Sequence, residues 1–286
     1  MKNNDARKRQ KPDWLKIRVP AGKQYIAVKD VVRRHKLHTI CTSGQCPNMS
    51  DCWGRGTATL MILGDVCTRS CKFCAVKTGK PGPVDGDEPR RVAESVKLMK
   101  LKHCVLTSVD RDDLGDGGAA IWAETIRAVK KLSPGTTIEA LVPDFSGEGE
   151  QLQTVIDAGP EVISHNLETV RRLTPVVRSV ANYDRSLEVV GRVSASPVRS
   201  KSGIMAGLGE RREEVLETMD DLRRVGCEVF TIGQYLQPTR KHWPVAGYIR
   251  PEQFREYEEK GLAMGFRFVE SGPLVRSSYH AEKHVD

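Results

Sequence analysis

The chain has 286 residues, a formal net charge of +8 and eight cysteines. A chain of that length buries roughly three quarters of its unfolded surface, so the fold needs no disulfides. Its longest apolar run, at 60–63 and its neighbours, is far below the ~18 residues of a membrane span. No charged segment followed by an apolar stretch opens the chain, so no signal or transit peptide is expected. A reducing, bacterial-type cytoplasm is the expected setting, where clustered cysteines are metal ligands more often than disulfides.

Residues 1–56 carry 13 Lys/Arg against 4 Asp, whereas the remainder is nearly neutral. This basic arm favours an acidic partner, nucleic acid or protein, or is simply solvated, and residues 1–11 are polar and basic. A short amphipathic stretch at 28–37 predicts a helix. Beyond residue 56 the pattern becomes regular. Strands are predicted at 57–63, 103–108, 136–142, 161–165, 199–206 and 227–233. Helices are predicted at 90–100, 119–132, 148–158, within 167–193, and at 210–225. A seventh helix at 252–264 and a strand at 266–270 follow.

Strands alternating with helices imply a parallel sheet, because each crossover needs a returning helix. Polar residues follow several strands: the second cysteine triplet after Leu63, Asp110 to Asp113 after Ser108, and Asn166 and Glu168 after His165. In a barrel those strand ends share the working face. The predicted fold is therefore α/β, an incomplete (β/α)6 TIM-type barrel. Residues 1–56 form an amino-terminal arm, 57–265 the barrel and 266–286 a carboxyl extension.

Six cysteines fall in two triplets, Cys41, Cys46, Cys52 and Cys67, Cys71, Cys74. Three closely spaced thiolates suit an iron–sulfur cluster that keeps one iron open. Zinc is the alternative, but it prefers four ligands in paired C-x2-C units, and only Cys71/Cys74 has that spacing. Asp110 to Gly118 is not a calcium loop, since Leu114 and Ile121 stand where ligands would be needed. Those acids either cap the helix after Gly118 or serve the active site. Asn166 and Glu168 are helix caps or ligand contacts, and Lys201 is a solvated cation or an anion partner. Cys104 and Cys227 read as small core residues. His35, His38 and His103 lack metal-like partners and are given no role, and His280 beside Tyr279 is left open.

The Cys67, Cys71, Cys74 loop, with Phe73 before its last cysteine, closely resembles the signature of the radical S-adenosylmethionine superfamily. The earlier triplet just ahead of it resembles the lipoyl synthase family. The likeness continues through Pro12 to Lys16, Gly56 to Thr59, Thr107 to Leu114, His165 to Glu168, Lys201 to Gly203, Gly233 to Pro238 and Arg276 to Tyr279.

The resemblance implies two 4Fe–4S clusters and S-adenosylmethionine as co-substrate. One cluster, on Cys67, Cys71 and Cys74, generates 5′-deoxyadenosyl radicals. The other, on Cys41, Cys46 and Cys52, is closed by Ser278, with Ser277 as the alternative, and is consumed as sulfur donor. It further implies cofactor contacts from Thr107, Ser108, Asn166, Glu168, Lys201 and Met205. The implied reaction inserts sulfur at C6 and C8 of an octanoyl chain on a carrier-domain lysine, with no acid–base catalyst.

Expected partners are the octanoylated carrier domains of dehydrogenase complexes and of glycine cleavage. A ferredoxin or flavodoxin reductant and an iron–sulfur carrier protein are also expected, with neither nucleic acid nor membrane. A transfer-RNA methylthiotransferase would need a further RNA-binding domain. A simple electron carrier would leave the strand–helix units unexplained. Cys52 and Ser278 are far apart in sequence, so arm and tail must meet over the barrel's open face.

Overall fold

The computed structural model describes residues 11–16, 23–34, 38–43 and 46–285. Most of the basic tail, the end of the 28–37 helix and His35 lie outside the described residues.

Seven parallel strands form the sheet: β1 Thr57–Ile62, β2 His103–Ser108, β3 Thr137–Leu141, β4 Val162–Ser164, β5 Arg199–Ala206, β6 Val229–Gln234 and β7 Phe268–Gly272. They pair in that sequential order, and His38–Thr39 adds an antiparallel edge beside β1. The helices between them are α1 Glu88–Met99, α2 Ala119–Leu132, α3 Gly149–Asp157, α4 Tyr183–Ser194, α5 Arg212–Arg224 and α6 Pro251–Ala263. The expected six-unit barrel is thus present, and the segment assigned to the carboxyl extension contributes β7, parallel to β6.

Local chemistry explains these elements. β1 is Thr-Ala-Thr-Leu-Met-Ile, buried at every position, as a strand covered on both faces requires. Asn182 begins α4 by accepting the N–H groups of Asp184 and Arg185, a side-chain N-cap. The expected 167–193 helix is shorter than its pattern. Residues 167–173 turn across the sheet end, Thr174–Val177 makes one turn, and only Tyr183–Ser194 is a full helix. Pro175 suits the start of that single turn.

Two apolar clusters fill the interior, one around Trp53, Leu60, Trp122 and Ile138, the other around Met219, Phe230, Tyr235 and Phe254. Cys104 and Cys227 are fully buried in them. In the arm, helix Lys23–Arg34 packs on helix Met49–Gly54 through stacked Tyr25 and Trp53.

The tail beyond β7 runs down the gap between the two ends of the sheet. It touches Asn48 through Leu274, and Thr57 and Arg55 through Glu282. His284 is buried near the start of β2 and β5. Among the described residues no helix is long and apolar enough to cross a membrane.

Candidate active site

The chain leaves β1 through Leu63 and Gly64, at φ 65° and 93°. Such a conformation is costly for leucine. It is held by Glu88 of α1, which accepts the Leu63 N–H at 2.7 Å. This turn directs Cys67, Cys71 and Cys74 over the carboxyl ends of the strands. Val66–Cys67 then pairs with Lys77–Thr78, closing the loop on itself.

Arg69 fixes the loop to the barrel. Its buried guanidinium binds Asp112 at 2.8 and 2.6 Å and Asp144 at 2.7 Å, and lies 3.4 Å from Asp110. The Cys67 sulfur accepts the N–H groups of Arg69 and Asp110, each at 3.4 Å. The acids after β2 therefore position the cysteine loop, and Asp116 makes the cap of α2, accepting from Gly118 and Ala120. Asp144 and Arg69 carry no sequence signal of this role, because their pairing depends on the loops after β1 and β3 meeting across β2.

A cavity of about 300 Å³ opens above the strand ends. Cys67, Cys71 and Cys74 border it on one side, and Ile40, Arg276 and Ser277 on another. Of the expected cofactor contacts, Thr107, Ser108, Asn166, Glu168 and Met205 line this cavity. Lys201 does not. It is fully buried lower in the barrel, with Nζ 2.7 Å from Glu139 Oε2 and 3.2 Å from His284 Nδ1. That ion pair corrects the expectation of a cofactor contact: Lys201 stands early in β5, away from the working end.

The cavity also contains Arg178, which the sequence reading missed. It donates to Leu167 O at 3.3 Å and Ser186 Oγ at 3.0 Å. Ser186 in turn meets His165 Nε2 at 3.0 Å, while His165 Nδ1 bonds Val142 O at 2.9 Å. Burial pushes His165 down to about 4, so the imidazole is neutral at physiological pH. Arg178 is thus a charged group oriented by a neutral relay. Burial raises the Glu168 carboxyl, while Arg178 opposes that shift.

Glu168 has φ 66° and bonds β5 on both sides, its N–H donating to Gly203 O and its carbonyl accepting the Met205 N–H. Strain of this kind in a cavity wall marks a site worth testing for function. Gly203 leaves space that no other residue could, since a Cβ there would sit 2.2 Å from Thr231 Oγ1.

The other triplet lies in the arm. Cys41 is in helix Ile40–Ser43, Cys52 in helix Met49–Gly54, and the Cys46 N–H bonds Cys41 O at 2.9 Å. Its sulfurs interact electrostatically with one another. The tail comes within electrostatic reach of them: Arg276 acts on Cys46 and Tyr279 on Cys52, while the Arg55 guanidinium lies 5.5 Å over the Tyr279 ring. Ser277 and Ser278 stand between those two contacts in sequence. Gly233 permits the crossing, because a Cβ there would be 2.0 Å from Val275 O.

The donor set fits iron–sulfur clusters and a polar co-substrate. All eight cysteines are free. Burial raises Cys41 to about 11 and Cys52 to about 12; burial and then Asp110 raise Cys67 to about 12; burial raises Cys74 to about 11. These are neutral thiols that ionise as they ligate iron, releasing protons. Among the described residues, Ser108 Oγ and Asn166 Oδ1 are buried with no hydrogen-bond partner, and both face the cavity. Such atoms call for a ligand or water.

Comparisons with known proteins agree with this geometry. Residues 61–222 match the radical SAM superfamily, and residues 1–46 match the N-terminal domain of lipoyl synthase of that family. The chain is 63% identical over 282 residues to a lipoyl synthase of Bacteroides fragilis, covering 99% of this chain and 98% of that protein. It is 58% identical over 276 residues to the mitochondrial lipoyl synthase of Nematostella vectensis, covering 96% and 95%. The crystal structure of methylornithine synthase shares the fold at TM-score 0.56 and 14% identity, covering 86% of this chain and 76% of that one. Streptococcus suis SuiB bound to S-adenosylmethionine does so at TM-score 0.57 and 14% identity, covering 78% and 54%.

Proposed function

The chain belongs to the lipoyl synthases of the radical S-adenosylmethionine superfamily, and from that membership we propose the roles of its residues. The reaction inserts two sulfur atoms, at C6 and C8, into an octanoyl chain carried on a lysine of a lipoyl carrier domain. Bound iron–sulfur clusters supply the electron that cleaves S-adenosylmethionine and the sulfur that is inserted.

Cys67, Cys71 and Cys74 hold the first cluster, and the Arg69–Asp112–Asp144 lattice keeps their loop in register with the strand ends. The hydroxyls of Thr107 and Ser108 receive the amino group of S-adenosylmethionine. Arg178, oriented by Ser186, pairs with its carboxylate. Asn166 and Glu168 contact the ribose, and Met205 supplies the apolar wall beside the adenine. Abstraction of hydrogen from an unactivated carbon needs no base, so these side chains bind, orient and exclude water.

Cys41, Cys46 and Cys52 hold the second cluster, with Ser278 as fourth ligand. An alkoxide is a weaker partner for iron than a thiolate, which suits a cluster that is taken apart. Arg276 places positive charge beside Cys46. Residues 1–56 act as the arm, 57–265 as the barrel and 266–286 as the extension closing the second site. Ferredoxin or flavodoxin provides electrons, an iron–sulfur carrier protein rebuilds the cluster, and the basic arm attracts acidic carrier domains.

One observation carries this reading: Arg276 and Tyr279 lie within electrostatic reach of Cys46 and Cys52, while Ser277 shares a cavity with Cys67, Cys71 and Cys74. Incubating the reduced, cluster-loaded protein with S-adenosylmethionine and an octanoyl-lysyl peptide tests it. Deoxyadenosine and a dithiolated peptide are expected. Absence of both from fully loaded protein counts against it.

A further inference from the structure

We propose that the face around Cys71 is the docking surface for a small acidic electron-transfer protein, held by Lys72, Arg240 and Lys241. The proposal rests on the assignment of Cys67, Cys71 and Cys74 to the electron-accepting cluster.

Three loops meet at this face. The Lys72 N–H bonds Val177 O at 2.9 Å, and the Ser70 N–H bonds Ser179 Oγ at 3.1 Å. The Trp243 N–H bonds Lys72 O at 2.8 Å, and His242 Nε2 meets Cys74 O at 2.9 Å. Residues 68–82, 173–183 and 235–251 are therefore one surface. Together they hold six exposed Lys/Arg (Lys72, Lys77, Lys80, Arg240, Lys241 and Arg250) besides buried Arg69 and cavity-lining Arg178, and no Asp or Glu, in a chain with 37 acidic residues. Of the carboxylates bordering them, Asp112 is bound by Arg69, Asp184 by Arg171, Glu252 by Arg255, and Glu210 by the N–H groups of Gly207, Leu208 and Gly209.

Lys72, Arg240 and Lys241 are exposed. The Lys72 ammonium sits 5.3 Å over the Trp243 ring, which orients it. Two apolar side chains share the face, Val176 at 42% and Val180 at 56% exposure. Positive charge around a few exposed apolar groups suits a transient complex steered by electrostatics.

The position selects the occupant. Cys67 is buried, but Cys71 is only partly so, between exposed Ser70 and Lys72. Electron transfer weakens steeply with distance, so a donor is most effective where the cluster edge is nearest the surface. An octanoyl-lysyl chain must instead reach into the cavity between the two cysteine sets. The donated electron leaves a reduced flavin or iron–sulfur centre of the partner and enters the cluster, with no atom transferred.

The test compares cluster-loaded wild type with the Arg240→Glu/Lys241→Glu variant and the milder Arg240→Gln/Lys241→Gln variant. Calorimetric titration with flavodoxin, and with a clostridial-type ferredoxin, should show a Kd raised about tenfold or more in the Glu variant, less in the Gln variant. The wild-type affinity should fall as salt rises. Deoxyadenosine formation with flavodoxin as reductant should fall in parallel, while that with dithionite stays unchanged. Unchanged affinity for both proteins overturns the proposal. So does a raised KM for the octanoylated carrier domain with dithionite as reductant, which would give the face to the substrate. Failure of wild type to form deoxyadenosine with dithionite would remove the cluster assignment beneath it.

Discussion

Asn48 donates its side-chain amide to the carbonyl of Leu274 at 2.6 Å, joining positions 226 residues apart. The same separation divides Cys52 from Ser278. Asn48 immediately precedes the helix that carries Cys52, and Leu274 precedes the tail residues facing the cysteines. The bond therefore ties the two halves of the proposed second cluster site together. Asn48→Ala removes one hydrogen bond of about 1 kcal/mol. Iron loss to a chelator should rise roughly fivefold from the cluster at Cys41, Cys46 and Cys52, with the other cluster unaffected, as read by electron paramagnetic resonance.

Arg178 is proposed to bind the carboxylate of S-adenosylmethionine. Arg178→Ala removes a charge-assisted contact of about 2 kcal/mol, so the KM for S-adenosylmethionine should rise roughly thirtyfold. Lysine cannot reproduce a planar fork and should restore the affinity only in part. Ser186→Ala, which frees the guanidinium from one partner, should give a smaller rise.

Lys201 and Glu139 form a buried ion pair at 2.7 Å. Lys201→Met leaves the carboxylate buried and uncompensated, a loss of about 3–5 kcal/mol. The urea midpoint should fall sharply, while the KM for S-adenosylmethionine in the surviving folded protein stays near wild type.

Three buried histidines make stability depend on pH. Burial lowers His103 to about 3, His165 to about 4 and His284 to about 2. Below the ordinary value of about 6.5 the unfolded chain binds more protons than the folded one, so stability falls as pH drops from 6.5 toward 4. Each histidine contributes at most about 1.4 kcal/mol per pH unit in that window. His103→Asn keeps a polar partner for Thr137 and should reduce the slope by up to about 1.4 kcal/mol per pH unit, measured from urea midpoints at pH 6.5, 5.5 and 4.5.

The barrel was legible because alternating strand and helix patterns survive in local sequence, and strands 103–108 and 199–206 have the expected bounds. The cysteine triplets were legible because ligands on one short loop leave a fixed spacing. Arg178 was not, since its orientation comes from Ser186 and His165 on other elements. Lys201 was misplaced for a reason the sequence does contain. It lies five positions before the end of β5, and only residues near the carboxyl end of a barrel strand reach the working face. The two short strands at 66–67 and 77–78 escaped notice because two residues carry no period.

The unequal roles of the two cysteine triplets are tested most directly by a single turnover with the cluster sulfides replaced by a heavy sulfur isotope, comparing wild type with Cys52→Ala. Wild type should transfer labelled sulfur to the octanoyl chain. Cys52→Ala should still cleave S-adenosylmethionine but insert no sulfur. Unlabelled product from wild type, or dithiolated product from Cys52→Ala, would contradict the assignment of Cys41, Cys46 and Cys52 as holders of the sulfur that is spent.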